Sequence, residues 1–183
     1  MAITSPDPVT EAVAYQRSLL DALGDDDPAA AQAQTPARIR ALIAEAGDEL
    51  RTRPEHAEWS VIECIGHVVD AEMVMAGRYR WVLAHDRPEL IGYDQDLWVD
   101  ALRHGAGDPA KLVAVFEALR EANLDLWQRS SQAQRDRVGV HRERGPESYE
   151  LSFRMLAGHD RVHLDQADRA LAAVRGSHSG SAG

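Results

Sequence analysis

Apolar residues in this chain recur at helical spacing, so the pattern reads as a series of helices, each with one face to bury. Residues 8–23 and 36–51 are short amphipathic candidates, separated by an acidic, alanine-containing connection from Gly24 to Gln34. A third segment runs from Ser60 to Ala84. A fourth opens at Asp108, with Leu112, Val115, Phe116, Leu119, Leu126 and Trp127 as its stripe, and a fifth runs from near Ser148 to Arg175. The breakers agree with this division. Asp7-Pro8, Thr35-Pro36 and Asp108-Pro109 each place a side-chain acceptor before a proline, the N-cap then N1 order that opens helices. The stretch from Val138 to His141 is too short, and its neighbours too charged, to predict a strand. The expectation is an all-α bundle. Two connections, His85 to Gly107 and Gln134 to Glu147, are long enough to shape a site, and the Gly/Ser-rich tail from Gly176 reads as disordered.

The last segment carries the first chemical signal. Phe153, Leu156, Ala167, Leu171 and Val174 form its apolar face, and His159 and His163 fall within that face one turn apart. Two imidazoles aimed into a core need partners, because an unsatisfied buried polar ring is costly. A carbonyl, a carboxylate or a shared metal ion would each serve. His67 lies at the edge of the apolar face of the third segment, where it would line a cavity between helices. Three neutral imidazoles are the donor set of a metal site with open positions. Glu72 sits near the middle of the same apolar face. It reads either as a partner or general base beside a metal or, preferably, as a buried ion pair with Arg78 or Arg80. His141, in a loop, is placed to reach the mouth of a site. His56, His85 and His104 read as solvated, His178 is set aside with the tail, and Cys64, Met73, Met75, Trp59 and Trp81 read as core or interface.

Composition narrows the function classes. Twenty Lys and Arg against thirty Asp and Glu give a formal charge of −10, which disfavours nucleic acid and anionic membrane surfaces as partners. A single cysteine forms no intrachain disulfide and fits a reducing, cytoplasmic setting. No apolar run approaches the ~20 residues of a membrane span, and Met1 to Pro8 lacks the basic and apolar regions of a signal peptide. Phosphate-loop, nucleophile-elbow and paired-cysteine motifs are missing, and the His pair reads His159-Asp160-Arg161-Val162-His163, without the glutamate of a thermolysin-like motif.

Taken together, Trp59-Ser60 at a helix start, the run Gly66 to Glu72 with Arg78, and the run Ala157 to Gln166 resemble the DinB-like superfamily, in its branch of metal-dependent hydrolases and thiol transferases. The Tyr93 to Trp98 stretch and the His141 to Gly145 loop are similar to the same branch. The resemblance implies a four-helix bundle of up-down-down-up connectivity over residues 36–175, with residues 1–35 an extension bearing a short helix and 176–183 a tail. It implies a divalent ion, Zn or Ni foremost among metals that imidazole suits, held by His67, His159 and His163. It also implies a homodimer and, as activity, conjugation of a low-molecular-weight thiol of the mycothiol or bacillithiol type to a small electrophile. Hydrolysis, thiol-dependent isomerisation and non-catalytic binding of metal or ligand stand as alternatives. Groups near in sequence that could orient the imidazoles are Asp70, Glu72, Asp160 and Gln166, and His141 and Tyr93 are pocket candidates from the two loops.

Overall fold

A computed structural model describes residues 10–180, with side chains through Ser177. Seven helices account for most of it: α1 Ala12–Leu23, α2 Pro28–Ala46, α3 Val61–Ala84, α4 Gln95–Ala101, α5 Pro109–Gln128, α6 Gln132–Arg135 and α7 Tyr149–Gly180. The bundle proper is α2, α3, α5 and α7. Cross-bundle pairs fix its directions. Along α2 and α7 the partners advance together, Gln32 to Phe153, Thr35 to Asp160 and Arg38 to Asp168, so these two run parallel. His67 meets His159 while Tyr79 meets Tyr149 and Phe153, so α3 runs against α7. Glu72 meets Arg120 and Arg80 meets Asn123, so α5 runs with α3. The connectivity is therefore up-down-down-up, and parallel α3 and α5 require the long crossover of residues 85–108.

Local chemistry explains the helix starts. The Glu63 carboxylate accepts from both the backbone N–H and the hydroxyl of Ser60 at the head of α3 (2.8 and 2.7 Å). Asp108 accepts from Ala110 N–H ahead of Pro109 at the head of α5. At α2 the expected start is displaced. Asp27 caps the helix by accepting from Ala30 N–H at 2.7 Å, Pro28 takes the first turn, and Pro36 lies inside the helix. Residues 28–34 are thus helix, not connection, and the boundary drawn at 35/36 falls within α2. Thr35 does not cap anything; its hydroxyl donates to Asp160 Oδ2 at 2.8 Å. After Ala46 the chain tightens into a 3-10 turn, Gly47–Arg51.

Three further differences matter. Val138 to His141 is a strand, β2, pairing in parallel with β1 (Glu89–Leu90) and antiparallel with β3 (Gly145–Ser148), so a small sheet joins the two long connections. α7 continues past Arg175 to Gly180. Val115, Met73 and Trp81 are exposed, whereas Arg120, one turn after Phe116 on α5, is buried. Asp7-Pro8 and the His178 side chain lie outside the described residues.

The interior is layered. One apolar cluster gathers Ile39, Leu42, Ile62, Ile65, Val68, Phe116, Leu164 and Leu171, and the other Tyr79, Leu90, Trp127, Tyr149, Phe153 and Leu156. Where they meet lie buried polar residues: Arg120 and Asn123 fall between the clusters along α5 and His159, Asp160 and His163 along α7, while His67 and Glu72 flank the boundary on α3. α1 packs on α7 so closely that a Cβ on Gly158 would stand 1.8 Å from the Leu19 carbonyl oxygen. No helix among the described residues is long and apolar enough to cross a membrane.

Candidate metal centre

The polar layer brings His67 of α3 together with His159 and His163 of α7. One ring nitrogen from each lies within 4.8 Å of the others, and the three residues are 1%, 7% and 7% exposed. His67 Nε2 and His159 Nε2 face each other at 2.9 Å. His163 Nδ1 bonds Gln166 Oε1 at 2.9 Å, so that nitrogen carries the proton and Nε2 keeps its lone pair. The Nδ1 atoms of His67 and His159 have no hydrogen-bond partner among the described residues. Burial is the main force on all three. It drives the pKa of His67 and His159 well below the usual imidazole value, with His163 the next cause in each case, and brings His163 down to about 4. Three neutral imidazoles with converging nitrogens and few protein partners fit a divalent cation. Trp59 forms one wall, its ring centroid 5.2 Å from that of His67 and 6.0 Å from that of His163, which it stacks upon.

Of the groups expected to orient the imidazoles, Gln166 alone bonds one. Asp70 faces His104, whose Nε2 lies 2.6 Å from Asp70 Oδ2, so His104 is buried rather than solvated. The crossover loop presses that ring onto Gly66, where a Cβ would come within 2.5 Å of it. Glu72 pairs with neither Arg78 nor Arg80. Its carboxylate accepts from Arg120 Nη2 at 2.7 Å and Asn123 Nδ2 at 2.7 Å. Asp160 Oδ2 accepts from Arg120 Nη1 at 2.7 Å as well as from Thr35. The Arg120 guanidinium, 1% exposed, thus ties α3, α7 and α2 together beneath the histidines. Burial alone would lower its pKa; Asp160 and Glu72 outweigh that and raise it, so it stays charged. Arg120 was not a candidate on sequence, because its partners lie 40 and 48 residues away.

A cavity of about 440 Å³ opens beside the cluster, a volume suited to a small molecule. His67 and His159 line one part of it; Tyr93, Arg78, His141 and Arg144 line others. Tyr93 stands with its ring 6.3 Å from His67 and 4.5 Å from Trp98. His141 is buried, with Nδ1 2.9 Å from Glu143 Oε2 and Nε2 3.2 Å from Arg78 Nη2. His56 and His85 are exposed, as expected.

An up-down-down-up bundle with a buried trihistidine cluster beside a cavity defines the class. The chain belongs to the DinB superfamily, whose profile matches residues 30–167. It is 25% identical over 131 residues to a protein of Oceanobacillus iheyensis named "putative metal-dependent hydrolase", a match covering 71% of this chain and 75% of the relative. Among solved structures it resembles YfiT from Bacillus subtilis, described as a probable metal-dependent hydrolase with an unusual four-helix bundle topology. That likeness has a TM-score of 0.73 and 18% identity over 88% of each chain, and it shows the fold.

Proposed function

We propose that His67, His159 and His163 hold one divalent metal ion and that the adjoining cavity is the active site of a metal-dependent enzyme acting on small molecules. The observation that carries this reading is the convergence of three buried, neutral imidazoles on one point, two of them without another partner. An ion held by these three residues would supply Lewis acidity, lowering the pKa of a thiol or water. The chain's own residues do the rest. Gln166 holds the His163 tautomer, Trp59 shields the cluster on one side, and the Arg120 network fixes the spacing of α3 and α7.

The preferred chemistry is conjugation of a low-molecular-weight thiol to an electrophile. The protein's own thiol is unsuited to it: Cys64 is fully buried, and burial pushes its pKa up to about 12. A reacting sulfur therefore arrives with the substrate. Hydrolysis is the second reading, supported by the names that both relatives carry.

Protein purified without a His tag is expected to carry close to one divalent ion per chain, or to take one up on titration. His163→Ala should lose the ion while keeping its far-UV helicity; full metal affinity in that variant would refute the site. The metal-loaded protein is then given a bimane electrophile with mycothiol, bacillithiol, glutathione or no thiol. Turnover with one thiol supports transfer, and turnover of ester or amide substrates without thiol supports hydrolysis.

A further inference from the structure

The cavity holds a second chemical feature that the metal reading does not use. Arg78 is 5% exposed, lines the cavity, and has no carboxylate partner among the described residues. Its Nη2 donates to the Ile91 carbonyl at 2.5 Å and meets His141 Nε2 at 3.2 Å. Its Nη1 meets only the Met75 sulfur at 3.7 Å, and its Nε has no partner. A buried guanidinium offers five donors in a rigid fork, and leaving them unmade is expensive.

The neighbouring charges do not answer this need. Glu147 is engaged by Arg144, Gln16 and Ser152. Glu143 turns to His141, Asp94 caps α4 by accepting from Leu97 N–H, and Asp96 accepts from the Trp59 side chain. Each carboxylate lining the cavity, together with Glu147 behind Arg144, has a partner already. The second cation there, Arg144, adds to the positive field at Arg78 rather than neutralising it.

Position completes the argument. His67, Ala71, Met75 and Arg78 line the cavity from one face of α3, at intervals of three and four residues, with Val74 beside them. Eleven residues of helix separate the Cα atoms of His67 and Arg78 by roughly 16 Å, and long helical side chains lean toward the N-terminus, which leaves on the order of 10 Å between guanidinium and histidine cluster. Ala71, Val74, Met75 and Leu156 make that interval apolar.

We infer that Arg78 anchors the carboxylate of an elongated substrate whose apolar middle lies along Ala71, Val74 and Met75 and whose reacting end meets the histidine cluster. The substrate class is thus a small acid with its reactive group some five to eight bonds from the carboxylate, by the roughly 10 Å interval. This assignment rests on the metal-centre reading for the reacting end and on Arg78 alone for the acid.

The test uses the cobalt-loaded full chain and three probes, ω-mercaptohexanoate, ω-mercaptohexanol and an ω-mercaptoalkyl phosphate, followed by the sulfur-to-cobalt absorption band. The acid should bind at least about tenfold tighter than the alcohol to the wild type, as expected for a charge-assisted fork. Arg78→Gln should bring the two within about twofold while the cobalt spectrum before probe addition stays unchanged. Arg78→Lys, which keeps the charge and loses the fork, should fall between, and it serves if the glutamine variant does not fold. Equal binding of acid and alcohol by the wild type, or an undiminished preference in Arg78→Gln, overturns the assignment. So does a preference for an ω-mercaptoalkyl phosphate without one for the carboxylate. If the chain takes up no cobalt, the metal reading fails. Hexanoate against hexanamide on the metal-free chain, by calorimetry, then decides Arg78 by the same tenfold criterion.

Discussion

Arg120→Met should destabilise the protein more than any other single change in the polar layer. The substitution leaves the Glu72 and Asp160 carboxylates buried, at 0% and 1% exposure. Glu72 would keep only Asn123 as donor and Asp160 only Thr35. Removing one member of a buried ion network while its partners remain costs about 3–5 kcal/mol. For a chain of this size that is roughly a 10 °C fall in Tm. The pH dependence gives the prediction its sign. Burial already raises the Glu72 pKa above 4.5, and the two Arg120 effects that oppose this disappear in the variant. An acid whose folded pKa is raised binds more protons folded than unfolded between the two values, so its contribution to stability falls as pH rises through that window. The gap between wild type and variant is therefore widest at neutral pH and narrows as pH falls toward the ordinary carboxylate range. Urea unfolding followed by circular dichroism, at neutral and mildly acidic pH, measures both. A difference under about 1 kcal/mol at neutral pH, or one that widens on acidification, contradicts the network as described. Adding Glu72→Gln and Asp160→Asn to Arg120→Met should recover part of the loss.

Gly158→Ala should loosen α1, because the new methyl group would overlap the Leu19 carbonyl; a loss of about 1–3 kcal/mol and faster proteolysis within α1 are expected. His141→Asn should flatten the acid limb of the stability profile. Burial, with Arg144 and Arg78 after it, brings the His141 pKa from 6.5 to about 4, so the unfolded chain takes up a proton that the folded one refuses as pH falls through that interval. An unchanged slope of unfolding free energy against pH would count against this. Asp27→Ala should cost about 1 kcal/mol in denaturant unfolding by removing the α2 cap, whereas a Thr35 cap would predict no effect.

What sequence could reveal was what neighbouring residues determine. Ser60 and Asp108 with Pro109 mark the starts of α3 and α5, since caps act within one turn. The His159 and His163 pair was visible because helix geometry alone puts i and i+4 side by side. Thr35-Pro36 misled because a cap and an interior proline look alike locally; the distinguishing fact is Asp160, 125 residues away. β2 escaped because part of its pairing comes from Glu89 and Leu90, distant in sequence. The pairing of Glu72 was missed because Arg120 lies 48 residues away, and His104 was misjudged for a related reason. Burial of a single polar side chain is decided by which loop covers it, and no periodicity encodes that.

Pro36 and Arg120 explain each other. A proline inside a helix removes the donor that would bond the carbonyl four residues back, here that of Gln32, and an interior proline ordinarily costs about 3 kcal/mol. In this structure Arg120 Nη1 donates to the Gln32 carbonyl at 3.1 Å. The bundle thus fills the gap in the α2 ladder with the same guanidinium that holds Glu72 and Asp160. The two positions should accordingly be coupled. Pro36→Ala in the wild type restores a donor to a carbonyl that already has one, so its stabilisation should be small, about 1 kcal/mol or less. In the Arg120→Met background the same change supplies the only donor and should gain at least about 1 kcal/mol more. Four unfolding curves close the cycle. Equal gains in both backgrounds would mean that the carbonyl is satisfied some other way and that Arg120 is held by its carboxylates alone.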